Sequence, residues 1–469
     1  MPESERLTAS AGGALVLGGG AAALFGVATT VVDGSPDAMA AVAVGVFAVL
    51  VVLSTRIEPA WLFSAAVALT AFSANSDRLG FPVGPDRLLF ALGVLSLVVK
   101  SFDPQLRAAM LGRLRFGVPH ALLAILTGLA IVSAAWAGTL TEREPFFGLL
   151  DRLGLIPFFM FLIAPVVFPG TRERAVLLAA LVALGGYLGI TALAEAFSLD
   201  ALVFPKYILD TAAGIHQDRA RGPFLEAVPN GFACFVCGVA AAVAASTWRG
   251  VRRSAALAVI GLCAAGTLFT LTRSVWIGTT LGTLTALVYA SELRRWIVPA
   301  VAVGVLTSVL LLNVVPGLSA SASERSSAQR PVWDRLNSDR AALAMIQERP
   351  VTGFGWYRFT SDSEDYFRQG ERYPLTNTHI AVHNMLLSNS VELGVPVAIL
   401  WLIAFGCAIA AALRGRLDGD LRAWQIGFAA IVIHFLVIAN LVPLGYASTN
   451  LFIWLWAGIV VGHRRSAKV

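Results

Sequence analysis

The residues best suited to chemistry in this chain are arginines that stand near the ends of apolar segments. The stretch RARGPFLEAVPNG (219–231) places Arg219 and Arg221 directly before a Gly-Pro pair and an apolar helix. Because Gly222 and Pro223 favour a turn, we expect both arginines on a shaped loop. Guanidinium groups bind phosphate oxygens through paired hydrogen bonds and stay charged at any working pH. The stretch therefore indicates a phosphate site or, as the simpler alternative, arginines that anchor a helix end at the membrane interface.

Another arginine, Arg273, interrupts an otherwise unbroken apolar region in TLTRSVWIG (270–278). A charged side chain at membrane depth is costly, so such residues are usually functional or paired. Arg273 is therefore a second candidate for binding phosphate. The alternative is a simple turn at the outer membrane surface.

A histidine follows in HNMLLSNSVELG (383–394). An imidazole titrates near neutral pH, so His383 could act as a general base at the membrane surface. A hydrogen-bonded interfacial histidine is the alternative. Upstream, Gly353 and Gly355 on either side of Phe354 predict a tight backbone approach in a long loop. Glu392 lies inside the apolar run and could orient a partner or form a salt bridge within the bundle.

His379 and His383 are four residues apart and could share one face of a helix. We include His379 among the candidate substrate-binding residues. A zinc site would need a third ligand and the Glu of an HExxH motif, and the sequence offers neither. We therefore expect no metal and no cofactor.

Together these segments predict arginines and a histidine on one side of a helical bundle. Fixed arginines can stabilise a departing pyrophosphate without a divalent metal, and a histidine can take the proton of an incoming hydroxyl. This is the chemistry that glycosyl transfer from a polyprenyl-pyrophosphate sugar donor requires.

The composition shows what must position these residues. The chain has 469 residues, of which 57% are hydrophobic and only 14% are charged, well below an average soluble domain. The water-soluble, disordered and fibrous classes are excluded, and an all-α polytopic transmembrane bundle with about 12–14 helices is predicted. We interpret the net charge of +6 as topology and lipid-facing charge, because no basic surface interleaved with aromatics predicts nucleic-acid binding.

Apolar runs suited to membrane helices recur along the whole chain. They lie near 11–31, 37–54, 59–75, 86–99, 117–138, 153–168, 174–196, 229–246, 254–272, 274–290, 296–316, 389–412, 423–441 and 446–462. If both termini are cytoplasmic, every second loop between the predicted helices is cytoplasmic as well. Arginine and lysine are more frequent in these loops than in the short outer loops, which supports this topology. That topology puts the loop 199–228, the break at Arg273 and the long segment 317–382 outside.

We divide the chain into four parts. They are N-terminal transmembrane helices (1–198), transmembrane helices with arginine-bearing outer loops (199–316), an extracytoplasmic loop (317–382) and C-terminal transmembrane helices (383–469). The loop contains a helical pattern in which Trp333, Leu336, Leu343 and Ile346 share one face. We expect this helix to lie along the membrane surface with that face towards the lipid.

As a set, these segments resemble the O-antigen ligase/polymerase superfamily (Wzy/WaaL type), whose members attach or polymerise lipid-linked glycans on the outer side of the inner membrane. The resemblance covers roughly residues 215–410. It rests on Arg-x-x-Gly-Pro-Phe…Pro-Asn, Thr-Arg-Ser…Trp-Ile-Gly, Arg-Pro…Gly-Phe-Gly, and His-Asn followed by nine residues and Gly394. The ligase pattern has another glycine three residues after Gly394, where this chain has Val397.

The resemblance also implies roles for single residues. The pyrophosphate-binding arginines of the family correspond to Arg219 and Arg273, with Arg221 as a second candidate in the first loop. The essential histidine corresponds to His383, with Asn384 beside it. The long outer loop would close over the acceptor and exclude water, which otherwise competes as nucleophile.

The function so implied is a metal-independent, multi-pass glycosyltransferase of the bacterial inner membrane, with a GT-C-like transmembrane fold and active on the extracytoplasmic side. It would move a glycan from an undecaprenyl-pyrophosphate carrier to a hydroxyl of a glycan, lipid or protein acceptor, among membrane lipids and without nucleic acid. An O-antigen ligase is slightly favoured over a polysaccharide polymerase. The alternative of another class is a transporter or flippase for the same lipid-linked glycan, although no inverted repeat is visible.

Overall fold

The computed structural model describes residues 52, 56–81, 83–215, 218–314, 329–370, 373–375, 377–443 and 445–463. Throughout these ranges the chain forms α-helices and short 3-10 turns and contains no β-strand, so the predicted all-α class is confirmed. The predicted run 11–31 and almost all of 37–54 lie outside the described residues, and the total number of helices therefore stays a prediction.

The helices that matter here are numbered in chain order. They are α1 (Pro59–Leu69), α2 (Pro85–Lys100), α3 (Pro104–Arg113), α4 (Val118–Ala137), α5 (Arg143–Asp151), α6 (Leu155–Val167), α7 (Thr171–Ala196), α8 (Ala227–Thr247), α9 (Gly250–Phe269), α10 (Arg273–Tyr289), α11 (Ile297–Val314), α12 (Arg330–Glu348), α13 (Phe359–Asp362), α14 (Met385–Leu393), α15 (Val395–Leu413), α16 (Asp420–Ala439) and α17 (Ala447–Gly462). Proline stands in the first turn of α2, α3, α4, α12 and α15, where its missing N–H costs no hydrogen bond.

Several of these helices are long and apolar enough to cross a membrane, and the polytopic class is therefore confirmed. In the described part of the chain there are seven such segments, namely α4, Arg143–Val167, α7, α8, α9, α15 and α16. The pair α2 and α3 would form an eighth, although the two axes are bent by 120° at their junction. One predicted run was wrong in detail, because residues 389–412 are not a single helix and break at Gly394 between α14 and α15.

The chain divides into two compact units, and the four parts predicted from the sequence stay a prediction. The first contains the described residues up to Leu114 together with Pro165–Leu181. In it the rings of Phe63 and Phe90 pack with centroids 6.0 Å apart. Asp103 caps α3 by accepting from two backbone N–H groups, as expected before a helix that begins with proline.

The second unit, Arg115–Ala164 and Val182 onwards, contains the residues of interest. Its helices approach closely at glycines, as is usual in membrane bundles. A Cβ on Gly278 of α10 would come within 2.5 Å of the His434 ring on α16. One on Gly282 would lie 2.7 Å from the Ala430 carbonyl oxygen. Most residues of α8 are buried, so this helix belongs to the core of the unit.

The helix expected on the membrane surface is present as α12, and one of its faces packs against the rest of the protein. Leu336 and Leu343 are exposed, whereas the buried residues of α12 are Asn337, Ser338, Ala341, Ala342 and Met345. This face contacts an apolar cluster that includes Phe354, Phe359, Val382 and Val391. Leu336 and Leu343 are thus free to contact lipid, and the orientation of the predicted apolar face towards the membrane stays a prediction. The result fixes α12 next to the segment that carries His383.

Candidate active site

Arg221 organises the loop 199–228 from within. Only 2% of Arg221 is exposed, and its guanidinium donates to the backbone carbonyl oxygens of Ala213, Ile208 (2.8 Å) and Asp210 (2.7 Å). All three acceptors belong to the same loop. Since these carbonyls occupy the guanidinium, we correct the reading of Arg221 as a pyrophosphate ligand and assign it to the shape of the loop.

The loop is docked at the end of α9. The backbone N–H of Ala220 donates to the Phe269 carbonyl (3.0 Å), and the Asn230 side chain donates to the Ala220 carbonyl (3.0 Å). Gly222 has φ +51° and lies so close to Asn230 that a Cβ would be 2.6 Å from its side-chain oxygen. A glycine is required there, and the predicted turn after the arginines is confirmed.

Arg219 reaches the start of α10. Its Nη1 donates to the Thr272 hydroxyl (3.2 Å), the residue directly before Arg273, with which α10 begins. Arg219 is half-buried, whereas Arg273 is exposed. Two loops far apart in sequence thus deliver their arginines to one place.

A third arginine joins them from α12. The guanidinium of Arg335 interacts electrostatically with Arg273 and Arg219. Burial lowers the pKa of Arg219, and the charges of Arg273 and Arg335 lower it further. The pKa of Arg335 is lowered in the same way by burial and by Arg273, while Asp339 acts in the opposite direction. We call Arg219, Arg273 and Arg335 the arginine cluster.

The cluster has unsatisfied hydrogen-bonding capacity. The Nε atoms of Arg219 and Arg335 are buried and have no hydrogen-bond partner. A buried donor without an acceptor costs about 1–3 kcal/mol, and more when it is charged. Like charges held together with unpaired donors favour an anionic ligand that accepts from several of them.

Arg335 was missed by the sequence analysis. In the sequence, the α12 segment is marked only by the apolar face of Trp333, Leu336, Leu343 and Ile346. The packing of α12 through its small residues turns Arg335 towards the cluster, and no spacing rule in the sequence contains that contact.

His383 lies beside this cluster and is half-buried. Its Nδ1 is 2.8 Å from the Ala381 carbonyl oxygen, so Nδ1 carries the proton and donates. The other ring nitrogen, Nε2, then keeps its lone pair. Burial lowers the pKa of His383, Arg335 lowers it further, and the Ala381 hydrogen bond and Asp334 raise it. The imidazole is therefore neutral near pH 7 and able to accept a proton through Nε2.

The remaining two predicted residues have other surroundings. Asn384 caps α14, because its side-chain oxygen accepts from the backbone N–H groups of Leu386 (2.9 Å) and Leu387 (3.1 Å). Its amide also donates to Asn440 (3.3 Å). The cap orients the residue next to His383. His379 is exposed, and the structure shows no contact between it and the arginine cluster. Their roles in substrate binding stay predictions.

The long loop is fastened by backbone hydrogen bonds to the break between α14 and α15. Phe354 N–H donates to Val391 (2.7 Å), Gly355 N–H to Glu392 (3.0 Å) and Val395 N–H to Pro350 (2.8 Å). A Cβ on Gly353 would lie 2.7 Å from the Glu392 carbonyl, and the predicted tight backbone approach is confirmed.

A buried ion pair lies below this junction. Arg152 Nη1 is 3.0 Å from Glu392 Oε2, and Nη2 donates to Ser388 (2.8 Å) and Asn389 (2.8 Å). The Arg152 guanidinium also stands 5.0 Å from the centre of the Trp356 ring. A salt bridge was one of the two roles predicted for Glu392, and Arg152 was not predicted as its partner.

In chemical terms the site combines three interacting arginines with a neutral histidine. It brings together Arg219, Arg273 and His383, as expected, and adds Arg335. In the part of the chain that the structure describes, no group of three or more His, Cys, Asp or Glu side chains that could hold a metal ion is found.

Comparison with known proteins gives one family. Residues 256–402 match the family model Wzy_C, described as O-antigen ligase. The matched range runs from α9 into α15 and includes Arg273, Arg335 and His383. No curated protein matches the chain.

Proposed function

We propose that this chain, a member of the O-antigen ligase/polymerase superfamily through residues 256–402, transfers a glycan from an undecaprenyl-pyrophosphate carrier to an acceptor hydroxyl. The observation that carries the proposal is the position of a neutral His383 beside three clustered arginines. A pyrophosphate accepts many hydrogen bonds and carries the negative charge that the cluster requires.

In this proposal each group has one task. Arg219, Arg273 and Arg335 hold the pyrophosphate and stabilise the charge that develops on it as the sugar–phosphate C–O bond breaks. Nε2 of His383 accepts the proton of the acceptor hydroxyl while that oxygen bonds to the sugar carbon. The pyrophosphate leaves with the electron pair of the broken bond. No divalent cation is needed to balance the charge.

A transporter for the same lipid-linked glycan is the competing function. Transporters place their binding groups near the middle of the membrane, commonly at broken helices. The location of the arginines supports transfer instead. Arg273 stands at the first residue of α10, and Arg219 and Arg335 belong to segments outside the seven candidate spans.

We further propose that the protein resides in a bacterial inner membrane with the site on the extracytoplasmic face. The excess of arginine and lysine in the opposite loops supports this orientation. Ligase activity is the first choice. Polymerase activity is the alternative within the superfamily, and the valine at 397 departs from the ligase pattern.

The test is incubation of the purified protein with an undecaprenyl-pyrophosphate-linked glycan and alternative acceptors, followed by mass spectrometry of the products. The acceptors are a lipid A–core oligosaccharide, a second lipid-linked repeat and an unfolded protein. Glycosylated lipid A–core supports ligation, and extended lipid-linked chains support polymerisation. Movement of the donor across a liposome membrane with no new glycosidic bond would overturn the proposal in favour of transport.

A further inference from the structure

A cavity of about 120 Å³ lies beside the His383 segment and contains none of the clustered arginines. Ala381, Val382 and Met385, which flank His383 in sequence, form part of its wall. The side chains that give it chemical character are Arg152, Tyr357, Phe359, Thr360, Ser388 and Glu392. None of these residues has a part in the proposed pyrophosphate site.

The cavity adjoins a wider groove of about 550 Å³. Tyr357 and Thr360 line both spaces, so they form the boundary between them. The groove is otherwise polar, with hydroxyl groups and charges of both signs. These come from Thr139, Glu142, Arg143, Glu144, Arg358 and Ser361. A narrow end chamber followed by a polar groove suits a chain of sugars better than a lipid tail.

The charges of the cavity select for a neutral ligand. Arg152 and Glu392 neutralise each other at 3.0 Å, and their side chains are only 10% and 6% exposed. The pair therefore offers no net charge to a phosphate, unlike the arginine cluster. The wall instead combines hydroxyl groups of Tyr357, Thr360 and Ser388 with the apolar ring of Phe359. Hydroxyls and an apolar face are what a sugar ring presents to a protein.

The wall of the cavity is held rigidly. Tyr357 has φ +64°, a left-handed backbone conformation that is costly for any residue with a side chain and is typical of functional sites. Its ring is so close to Gly148 that a Cβ there would lie 2.4 Å from it. The neighbouring Trp356 donates from its indole to Pro145 (2.9 Å) and accepts at its carbonyl from Thr139 (3.0 Å).

The size agrees with a single ring. About 10–15 Å³ of such space is enough for one water molecule. The cavity thus has room for several waters, which the hydroxyls of one sugar can replace.

We propose that this cavity is the acceptor subsite and binds the neutral terminal sugar of the acceptor next to His383, with the groove taking the following sugars. The inference rests on the proposed function. His383 would then stand between the donor pyrophosphate on the arginine cluster and the acceptor hydroxyl in the cavity, as transfer in one step requires.

The test substitutes the exposed Thr360 at the boundary, because a bulky side chain there fills the entrance without disturbing the core. Thr360→Trp should raise the KM for acceptor at least tenfold and leave the KM for donor within twofold. The matched control is Thr352→Trp, an exposed threonine of the same loop that lines neither space. The control should change neither constant.

Direct binding gives a readout that does not depend on transfer. Saturation-transfer NMR of free glucose and galactose with the full-length protein in detergent should show contact in the wild type and in Thr352→Trp, and loss of contact in Thr360→Trp. Contact that persists in Thr360→Trp, or none in the wild type, would overturn the sugar site.

The outcomes separate the two proposals. A raised KM for donor with an unchanged KM for acceptor would overturn the acceptor role and assign the cavity to the donor sugar. Absence of transfer by the wild type with every acceptor would overturn the proposed function, and the binding measurement would still decide whether the cavity takes a sugar.

Discussion

The protein holds arginine in two contrasting surroundings within the same unit. In the arginine cluster, three guanidinium groups interact with one another, and two buried Nε atoms have no hydrogen-bond partner. Arg152, in contrast, has a carboxylate, a hydroxyl and an amide oxygen within hydrogen-bond distance and an indole ring beside it.

The difference distinguishes arginines that are suited to binding a ligand from an arginine that stabilises the fold. A guanidinium with a full set of protein partners holds helices together, because its charge is balanced in the folded state. Several guanidiniums that repel each other destabilise the empty site, and a bound anion removes that cost. Substitutions should therefore affect ligand binding in the cluster and stability at Arg152.

The largest effect, a loss of transfer rate, is expected at His383, which lies beside the arginine cluster. His383→Ala removes the proposed base, so the transfer rate should fall by about 10²–10⁴-fold while donor affinity is kept. The measurement is single-turnover transfer in detergent, with donor affinity determined in parallel. The control is His463→Ala. His463 directly follows the last residue of α17, whereas the residues that line the cavity, Pro443 and Gly445, precede the first residue of that helix. Full turnover by His383→Ala would remove the base role.

The next effect concerns stability. Arg152→Ala leaves the Glu392 carboxylate buried and uncompensated, and the free energy of unfolding should fall by about 3–5 kcal/mol. Thermal unfolding in detergent measures the change. The double variant with Glu392→Ala should lose less than the two single losses combined. Arg335→Ala provides the contrast, since it should not lower the unfolding temperature. Equal destabilisation by both arginine variants would break the comparison.

Donor affinity should then respond to the cluster alone. Arg335→Ala removes a charged hydrogen-bond donor and should weaken binding of undecaprenyl pyrophosphate by about 10–100-fold. Arg340, on the same helix but exposed and stacked near Tyr373, supplies the matched control. We expect Arg340→Ala to bind as the wild type does. Titration of the carrier lipid by isothermal calorimetry distinguishes them, and indistinguishable affinities for both variants would exclude Arg335 from the site.

The smallest effect is a shift in pH dependence. The pKa of His383 is lowered, so neutral imidazole and transfer activity should persist to a pH below the usual histidine value of about 6.5. Arg335→Gln removes a nearby positive charge, so the pKa rises and the acidic limb moves to higher pH, by up to about one unit. Asp334→Asn removes a negative charge and should move the limb the other way. Shifts of the same sign would contradict the assigned electrostatics.

Much of this arrangement could be predicted from the sequence. Apolar runs of membrane length predict the helices, and Gly222, Gly353 and Gly355 mark the turns and close approaches. The family pattern proposed Arg219, Arg273 and His383 as site residues, and their roles stay predictions. These features depend on local chemistry or on short motifs, which a single sequence retains.

The features of the site that could not be predicted from the sequence depend on tertiary packing. Arg335 enters the site because α12 packs through alanines and Met345 rather than through its larger apolar residues. The sequence could not show that Arg221 has a different role from Arg219. Only the folded loop brings three backbone carbonyl oxygens to the Arg221 guanidinium. The pairing of Arg152 with Glu392 joins residues 240 positions apart, and no periodicity connects them.

The backbone pairing of residues 350–355 with 391–395 also bears on how such a protein can change. The two ends of the excursion 356–390 are held together by these backbone hydrogen bonds, so the exposed residues between them can vary in length without moving the ends apart. Doubling the length of a flexible loop costs only about 0.6 kcal/mol in closure entropy. Insertions or deletions in the exposed part of this excursion, away from its anchors, the cavity wall and His383, can therefore accumulate while the membrane scaffold stays intact.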